Sequence, residues 1–167
     1  MGADAQGRRK DPYRKFQYRV YTLPHGGLPN PIPKGSNVHF SEVSGLRGET
    51  EVVEYKEGNE ALTRKLPGKT SYGGITLARG IDSGGHLAKW RKAIVEDGGN
   101  PNASLRAILV IEVKDRIGKN IVKTYRALAC WPSSYEVEDL AGGSSDVLVE
   151  RIEFAVEKIL QDDQGAL

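Results

Sequence analysis

Residues that carry site chemistry are scarce in this sequence. Of 167 residues one is a cysteine, Cys130, which excludes an intrachain disulfide and a cysteine-cluster zinc site and suits a reducing compartment. Its place between Ala129 and Trp131 at a strand end favours a buried, unreactive thiol over a nucleophile. The three histidines, His25, His39 and His86, have no i+3 or i+4 partner that would make a helical zinc signature. No run approaches the ~18 consecutive apolar residues of a membrane-spanning helix. Met1 to Lys10 lacks the apolar stretch of a secretory signal, so the chain is expected to be made in the cytoplasm and not to insert into a membrane by itself. An excess of one charge is missing too. Lys plus Arg number 24 against 22 for Asp plus Glu, and a net charge of +2 gives no whole-chain attraction to nucleic acid. Arg64, Lys65, Lys69, Arg79, Arg91 and Lys92 are dispersed among acids without an aromatic stacking series, as on a solvated or subunit-facing surface.

Two apparent motifs dissolve on inspection of spacing. Gly68-Lys69-Thr70 invites a phosphate-loop reading, but that loop needs a glycine where Thr63 stands and a hydrophobic strand to aim it. Asp82, Ser83 and His86 could be assembled into a base and nucleophile, yet these are the residue types that a helix start selects for capping alone. No catalytic residue, metal or cofactor is expected, and the chain does not read as an enzyme.

What is present is a single domain's worth of strand signals, with 38% hydrophobic residues. Gly2 to Lys10 is small, polar and then basic, a mobile arm at residues 1–10. Phe16, Tyr18 and Val20 alternate with Lys15, Gln17 and Arg19, the period-two mark of a half-buried strand. Pro24 to Asn37 holds four prolines and three glycines, and reads as a stiffened loop or a docking surface. Val38 to Val43 predicts a short strand. Glu49 to Lys56 alternates, turns at Gly58-Asn59 and returns through Thr63 to Lys65, a long hairpin at 49–66 with no cleanly apolar face. Isolated ribbons are marginal in water, so this one wants a partner chain. Leu66 to Tyr72 predicts an edge strand broken by a Pro67-Gly68 turn, and Gly74 to Gly80 a further strand.

Asp82 or Ser83 is then expected to cap an amphipathic helix whose core face is Leu87, Trp90 and Ile94, with Asp97-Gly98-Gly99 as its stop. Leu105, Ala107, Leu109, Ile111 and Val113 form one apolar face, and Arg106, Ile108, Val110, Glu112 and Lys114 a mixed one, so this strand is covered on both sides for part of its length. Ile121 to Trp131, ending at Pro132, should pair with it. Leu148 to Val156 supports a strand over a competing helical spacing, and 161–167 a flexible tail.

Six blocks in order carry a family resemblance: Asp11 to Phe16, Phe40 to Leu46, Val53 to Gly58, Arg64 to Gly68, Gly74 to Gly80 and Trp90 to Lys92. Together they resemble the tail tube proteins of contractile-tailed phages and the inner-tube proteins of related contractile injection systems, over Asp11 to Lys158. The resemblance implies a mainly β (α+β) domain at 11–160: two packed antiparallel sheets in a barrel-like arrangement, one flanking helix and the protruding hairpin. It implies six copies in a ring and rings stacked into a hollow tube inside a sheath, ending at baseplate and terminator proteins, with DNA or a protein effector as cargo. The particle would be a virion tail or an injection device, free or membrane-anchored. Glu51, Val53, Tyr55, Arg64 and Leu66 become candidate contacts between subunits or rings, and Arg106, Glu112 and Lys114 candidates for facing the lumen. The longer, proline-rich 24–37 loop and the basic arm depart from the pattern on the outer surface. Two readings of another class stand beside this one. A monomeric β-barrel could hold a hydrophobic ligand among Trp90, Trp131 and the phenylalanines, and an enzyme could use a Cys130 thiolate.

Overall fold

The computed structural model describes residues 15, 17–25, 30–36, 38–58, 62–81, 83–97, 105–142 and 146–163. The expected arm at 1–10, the Asp82 cap, the Gly98-Gly99 stop and residues 164–167 lie outside these. In chain order the elements are β1 (Tyr18–Pro24), β2 (Glu42–Ser44), β3 (Gly48–Tyr55), β4 (Arg64–Tyr72), β5 (Ile75–Gly80) and α1 (His86–Glu96), then β6 (Ala107–Lys114), β7 (Ile121–Val137), β8 (Val149–Ala155) and β9 (Lys158–Asp163). Over the described residues the domain is mainly β with one helix, as expected, and every pairing is antiparallel. Among the described residues the sheet does not close into a barrel. It bends.

The bend lies in β7. Its first half pairs with β6 and with β9, Lys123 to Leu128 lying against Asp163 to Lys158. Its second half leaves them and pairs with β8, from Trp131 against Ala155 to Val137 against Glu150. Between the halves Ala129 takes a positive φ of 54°, a left-handed conformation that costs an alanine on the order of 1 kcal/mol. A strand that changes sheets in this way makes the corner of a two-layer fold. One layer is then β1-β6-β7-β9 and the other β7-β8-β5-β2. Cys130 sits at the corner with no exposure, its thiol 3.0 Å from the Ala127 carbonyl and pushed by burial to a pKa of about 11. That thiol is not a nucleophile at neutral pH.

Several boundaries differ from expectation for identifiable reasons. β7 does not stop at Pro132. The second half of β7 is an edge strand, and its register slips between Pro132 and Ser134, so the missing donor falls where the ladder is already irregular. β9 reaches Asp163, past the boundary expected at 160. Pro67-Gly68 makes no turn: β4 runs through both. β2 is only Glu42–Ser44, and residues 38–41 precede it as irregular chain in which Val38 is buried and the Ser41 amide donates to the Ala78 carbonyl at 2.8 Å. The helix begins at Gly85, left-handed at φ 57°, with no side-chain cap, so Ser83 does not cap it.

The core lies between the two layers and under the helix. Leu87 and Trp90 are buried and Ile94 is packed at the margin. The Trp90 ring centroid is 5.1 Å from that of Phe154, and its indole N–H donates to the Leu105 carbonyl at 3.0 Å. Arg79 and Glu150, opposite each other on β5 and β8, form a buried ion pair at 2.9 Å. Tyr135 donates its hydroxyl to Glu150 at 2.7 Å, and burial together with that carboxylate pushes the phenol to a pKa of about 12. Removing one member of such a group leaves the other charge unpaired in the interior.

Because Phe154 is fully buried against Trp90, Phe154→Ala is expected to cost about 3–5 kcal/mol in urea unfolding. A loss below about 1 kcal/mol would contradict this placement of the core.

Candidate assembly surface

Among the described residues β3 and β4 pair with each other and with no third strand. Every residue of β3 is exposed. The alternation that brought no clean apolar face in the sequence goes with this exposure: β3 and most of β4 lie on no core of the same chain. In register, Val53 faces Leu66 and Tyr55 faces Arg64. Opposed residues on paired strands share a face, and residues two apart on one strand do too. Glu51, Val53, Tyr55, Arg64 and Leu66, the candidate contact residues, therefore stand together on one side of the ribbon. The other side carries Thr50, Val52, Glu54 and their partners. Three of the five are large apolar or aromatic residues in contact with water: Val53 is 45% exposed, Tyr55 49% and Leu66 51%.

Two glycines shape this element. At its base Gly45, at φ 86°, passes so close to the other leg that a Cβ would fall 2.0 Å from the Gly74 carbonyl oxygen. The legs are further tied by the Gly73 amide donating to the Arg47 carbonyl at 3.0 Å. Farther out the register shifts between Thr50 and Val52, where β4 holds one residue more than β3. Gly68 lies in this bulge, and a Cβ there would meet the Val53 side chain at 3.0 Å and the Glu51 carbonyl at 3.1 Å. The base is pinned and the twist is built in, so the ribbon projects.

Beside the base is a groove of about 510 Å³ on the core face of the first layer. Tyr18, Ile111, Val113 and Tyr125 form its floor, and Val43 and Leu46 its wall. It exists because β2, three residues long, ends the second layer before it has covered the first.

On the opposite face of the first layer the expected lumen candidates separate. Glu112, expected to face a lumen, is instead only 3% exposed. Arg19 reaches it at 2.6 Å, the Tyr21 hydroxyl donates to it at 2.8 Å and the Lys34 ammonium lies at 3.4 Å, also 5.0 Å from the Tyr21 ring centre. Burial opposes ionisation of this carboxyl, but the hydrogen bonds from Arg19 and Tyr21 and the Arg19 and Lys34 charges outweigh it and hold the group below its ordinary range. Arg106 pairs with Glu157 at the surface, and Lys114 is partly exposed, its amide donating to the Gln17 carbonyl at 2.8 Å. Lys34 belongs to the proline-rich segment, which is anchored to the body at Ile32. Ile32 is fully buried, its carbonyl accepting from the Thr22 amide at 2.8 Å and its amide donating to the Thr22 hydroxyl at 2.9 Å. Sequence reasoning missed Ile32. The available signal was a lone β-branched residue inside a run of prolines. Among the described residues no group of acids, histidines and cysteines is placed to hold a metal.

The family model for the T4-like virus tail tube protein gp19 matches residues 14–160. No curated protein sequence matches the chain. A chain in the cryo-EM structure of the anti-feeding prophage baseplate, 6-fold symmetrised, superposes with a TM-score of 0.78 at 21% identity, over 95% of this chain and all of that one. A chain in the extended sheath-tube complex of the extracellular contractile injection system PVC gives 0.75 at 20% identity, covering 98% and 99%. One in the anti-feeding prophage tube-terminating cap gives 0.75 at 20%, covering 93% of each. At such identities the likeness is one of fold.

Because Glu112 titrates below its ordinary range when folded, its contribution to stability is complete above the usual carboxylate range and is lost as pH falls toward the folded value. Glu112→Gln is expected to destabilise the protein by roughly 1–3 kcal/mol at pH 7, with the gap from the parent closing at acid pH. Denaturant unfolding at several pH values measures it, and a gap that stays constant or widens in acid contradicts the arrangement.

Proposed function

The chain belongs to the family of T4-like virus tail tube proteins, and from that premise we propose that six copies close into a ring and that rings stack into the inner tube of a phage tail or phage-like contractile injection system. As a tail tube protein it is a structural component and not an enzyme. A contracting sheath drives the tube through a target envelope, and the lumen conducts DNA or a protein effector. Subunits made and assembled in the cytoplasm enter a virion tail or an injection particle, with baseplate and terminator proteins at the two ends. Structures of the same fold occur in a baseplate, in a tube-terminating cap and in a sheath-tube complex, which is the company this reading requires. Among the described residues no helix is long and apolar enough to cross a membrane.

One observation carries the reading: a pinned ribbon with exposed apolar residues on a body that offers it no layer. Burying it between identical copies removes that apolar surface from water and covers strand edges that would otherwise pair indiscriminately. A rigid tube needs many such contacts, each of at least the ~1,000 Å² typical of specific interfaces. Glu51, Val53, Tyr55, Arg64 and Leu66 make them. Arg106 and Lys114 face the lumen, where mixed polarity keeps a passing polymer from adhering. The alternative, a monomeric barrel around a hydrophobic ligand, has less support. The sheet is open, and Trp90 and Phe154 fill the interior against each other instead of lining a vacant centre.

Deletion of Gly58 to Ala61 from the ribbon tip tests the reading. The expected result is a folded subunit, by circular dichroism, that forms no long tubes in negative-stain images. Intact tubes from the deletion would remove the ribbon from the assembly.

A further inference from the structure

β1 is an edge strand whose outer side is closed at one point by chain that is not a strand. We propose that the Asn30–Lys34 segment is an edge guard: it shuts the outer side of β1 at Thr22 to strand addition by another chain, and the contact of Lys34 with Glu112 is the clamp that keeps it seated. The inference goes beyond the tube-subunit reading and holds whether or not copies form rings.

The orientation of β1 comes first. It stands at the end of the strand order, and among the described residues it pairs with β6 alone. Its register on β6 has no slip, and just before it the Gln17 carbonyl accepts from the Lys114 amide at 2.8 Å. In an antiparallel pair, successive residues alternate between bonding the partner strand and facing away from it. Arg19, Tyr21 and Leu23 therefore bond β6, and Tyr18, Val20, Thr22 and Pro24 turn their backbone groups to the outer side. Such a side is a template on which any extended chain can pair.

The guard meets that side at Thr22. The Thr22 amide donates to the Ile32 carbonyl at 2.8 Å, and the Ile32 amide donates back to the Thr22 hydroxyl at 2.9 Å. The same hydroxyl donates to the Asn30 side-chain oxygen. Thr22 and Ile32 are both fully buried. Two residues farther along β1, Pro24 has no N–H to offer. On the guard itself Pro31 and Pro33 flank Ile32, and they lack N–H groups too. The segment thus occupies Thr22 and presents in its place an edge without donors, on which a further strand finds no ladder. This accounts for prolines on either side of one buried isoleucine.

Two anchors hold the segment. Ile32 belongs to the core cluster. Beyond it, Pro33 to Ser36 make a reverse turn in which the Ser36 amide donates to the Pro33 carbonyl at 3.0 Å and Gly35 supplies the positive φ, 93°. The turn carries Lys34 back over the sheet, where its ammonium lies 3.4 Å from the Glu112 carboxylate and 5.0 Å from the centre of the Tyr21 ring. Arg19 and Tyr21 already fix Glu112, so the clamp closes on a point that does not move.

The test compares full-length variants by hydrogen exchange resolved to the Thr22 amide and by thioflavin T fluorescence, which reads sheet-type association. Lys34→Glu sets a second carboxylate against Glu112 and reverses the clamp, whereas Lys34→Arg keeps its charge. Lys34→Glu is expected to lose protection at Thr22 while β6 stays protected, and to raise the thioflavin signal at least about threefold over the parent at equal concentration. Lys34→Arg should match the parent in both. A second variant, Pro31→Val with Pro33→Val, leaves the clamp intact and restores donors to the guard; it should show the same rise with Thr22 still protected. Loss of protection at Thr22 without that rise overturns the guard, and so does a proline variant that associates no more than the parent. Unchanged protection in Lys34→Glu overturns the clamp.

Discussion

A two-stranded ribbon has two faces and two edges, and on its own it can cover none of them. That constraint governs this molecule. Glu51, Val53, Tyr55, Arg64 and Leu66 share one side of β3–β4, with apolar residues left about half exposed, while at the base Gly45 crosses Gly74 too closely to carry a side chain. The hydrophobic effect gives such a surface a preference for association, at roughly 25 cal/mol per Å² removed from water. The body has a groove of its own beside the ribbon's base, where the three-residue β2 leaves the first layer uncovered.

The rest of the fold holds that ribbon at a fixed angle. β7 belongs to both layers, turning at Ala129 and Cys130, so the layers cannot slide independently. Trp90 and Phe154 fill the space between, and Glu150 joins Arg79 and Tyr135 beside them. Glu112 does the same on the outer face, drawing Arg19 and Lys34 across Tyr21 and holding the Asn30–Lys34 stretch against β1. Each buried charge is paired, which is the condition for tolerating it.

Much of this was legible in the sequence wherever one physical signal dominated. The alternation around Tyr18–Val20, the apolar row of Ala107, Leu109 and Ile111 and the Leu87–Trp90–Ile94 stripe each follow from a single period. The ribbon was legible from its mixed faces, neither of them cleanly apolar. Failures occurred where tertiary context decided. Pro132 reads as a strand end, yet an edge position and a register slip let β7 pass through it. Pro67-Gly68 reads as a turn, yet a bulge accommodates both. β9, Lys-Ile-Leu-Gln-Asp-Asp, has little alternation of its own and is ordered by the free side of β7. Glu112 looked solvent-facing because its three partners lie far off in sequence, on β1 and in the proline-rich segment. The groove had no sequence signal at all, since it is the absence of a strand.

Hydrogen exchange along residues 48–72, compared between dilute subunits and assembled particles, addresses the central claim most directly. If the ribbon is completed only by other copies, its amides exchange within the range of fraying elements at dilution and gain protection on assembly, while those of β6 are protected in both states. Equal protection of the ribbon and β6 in the dilute subunit would show that the chain already satisfies its own ribbon, and would contradict the account.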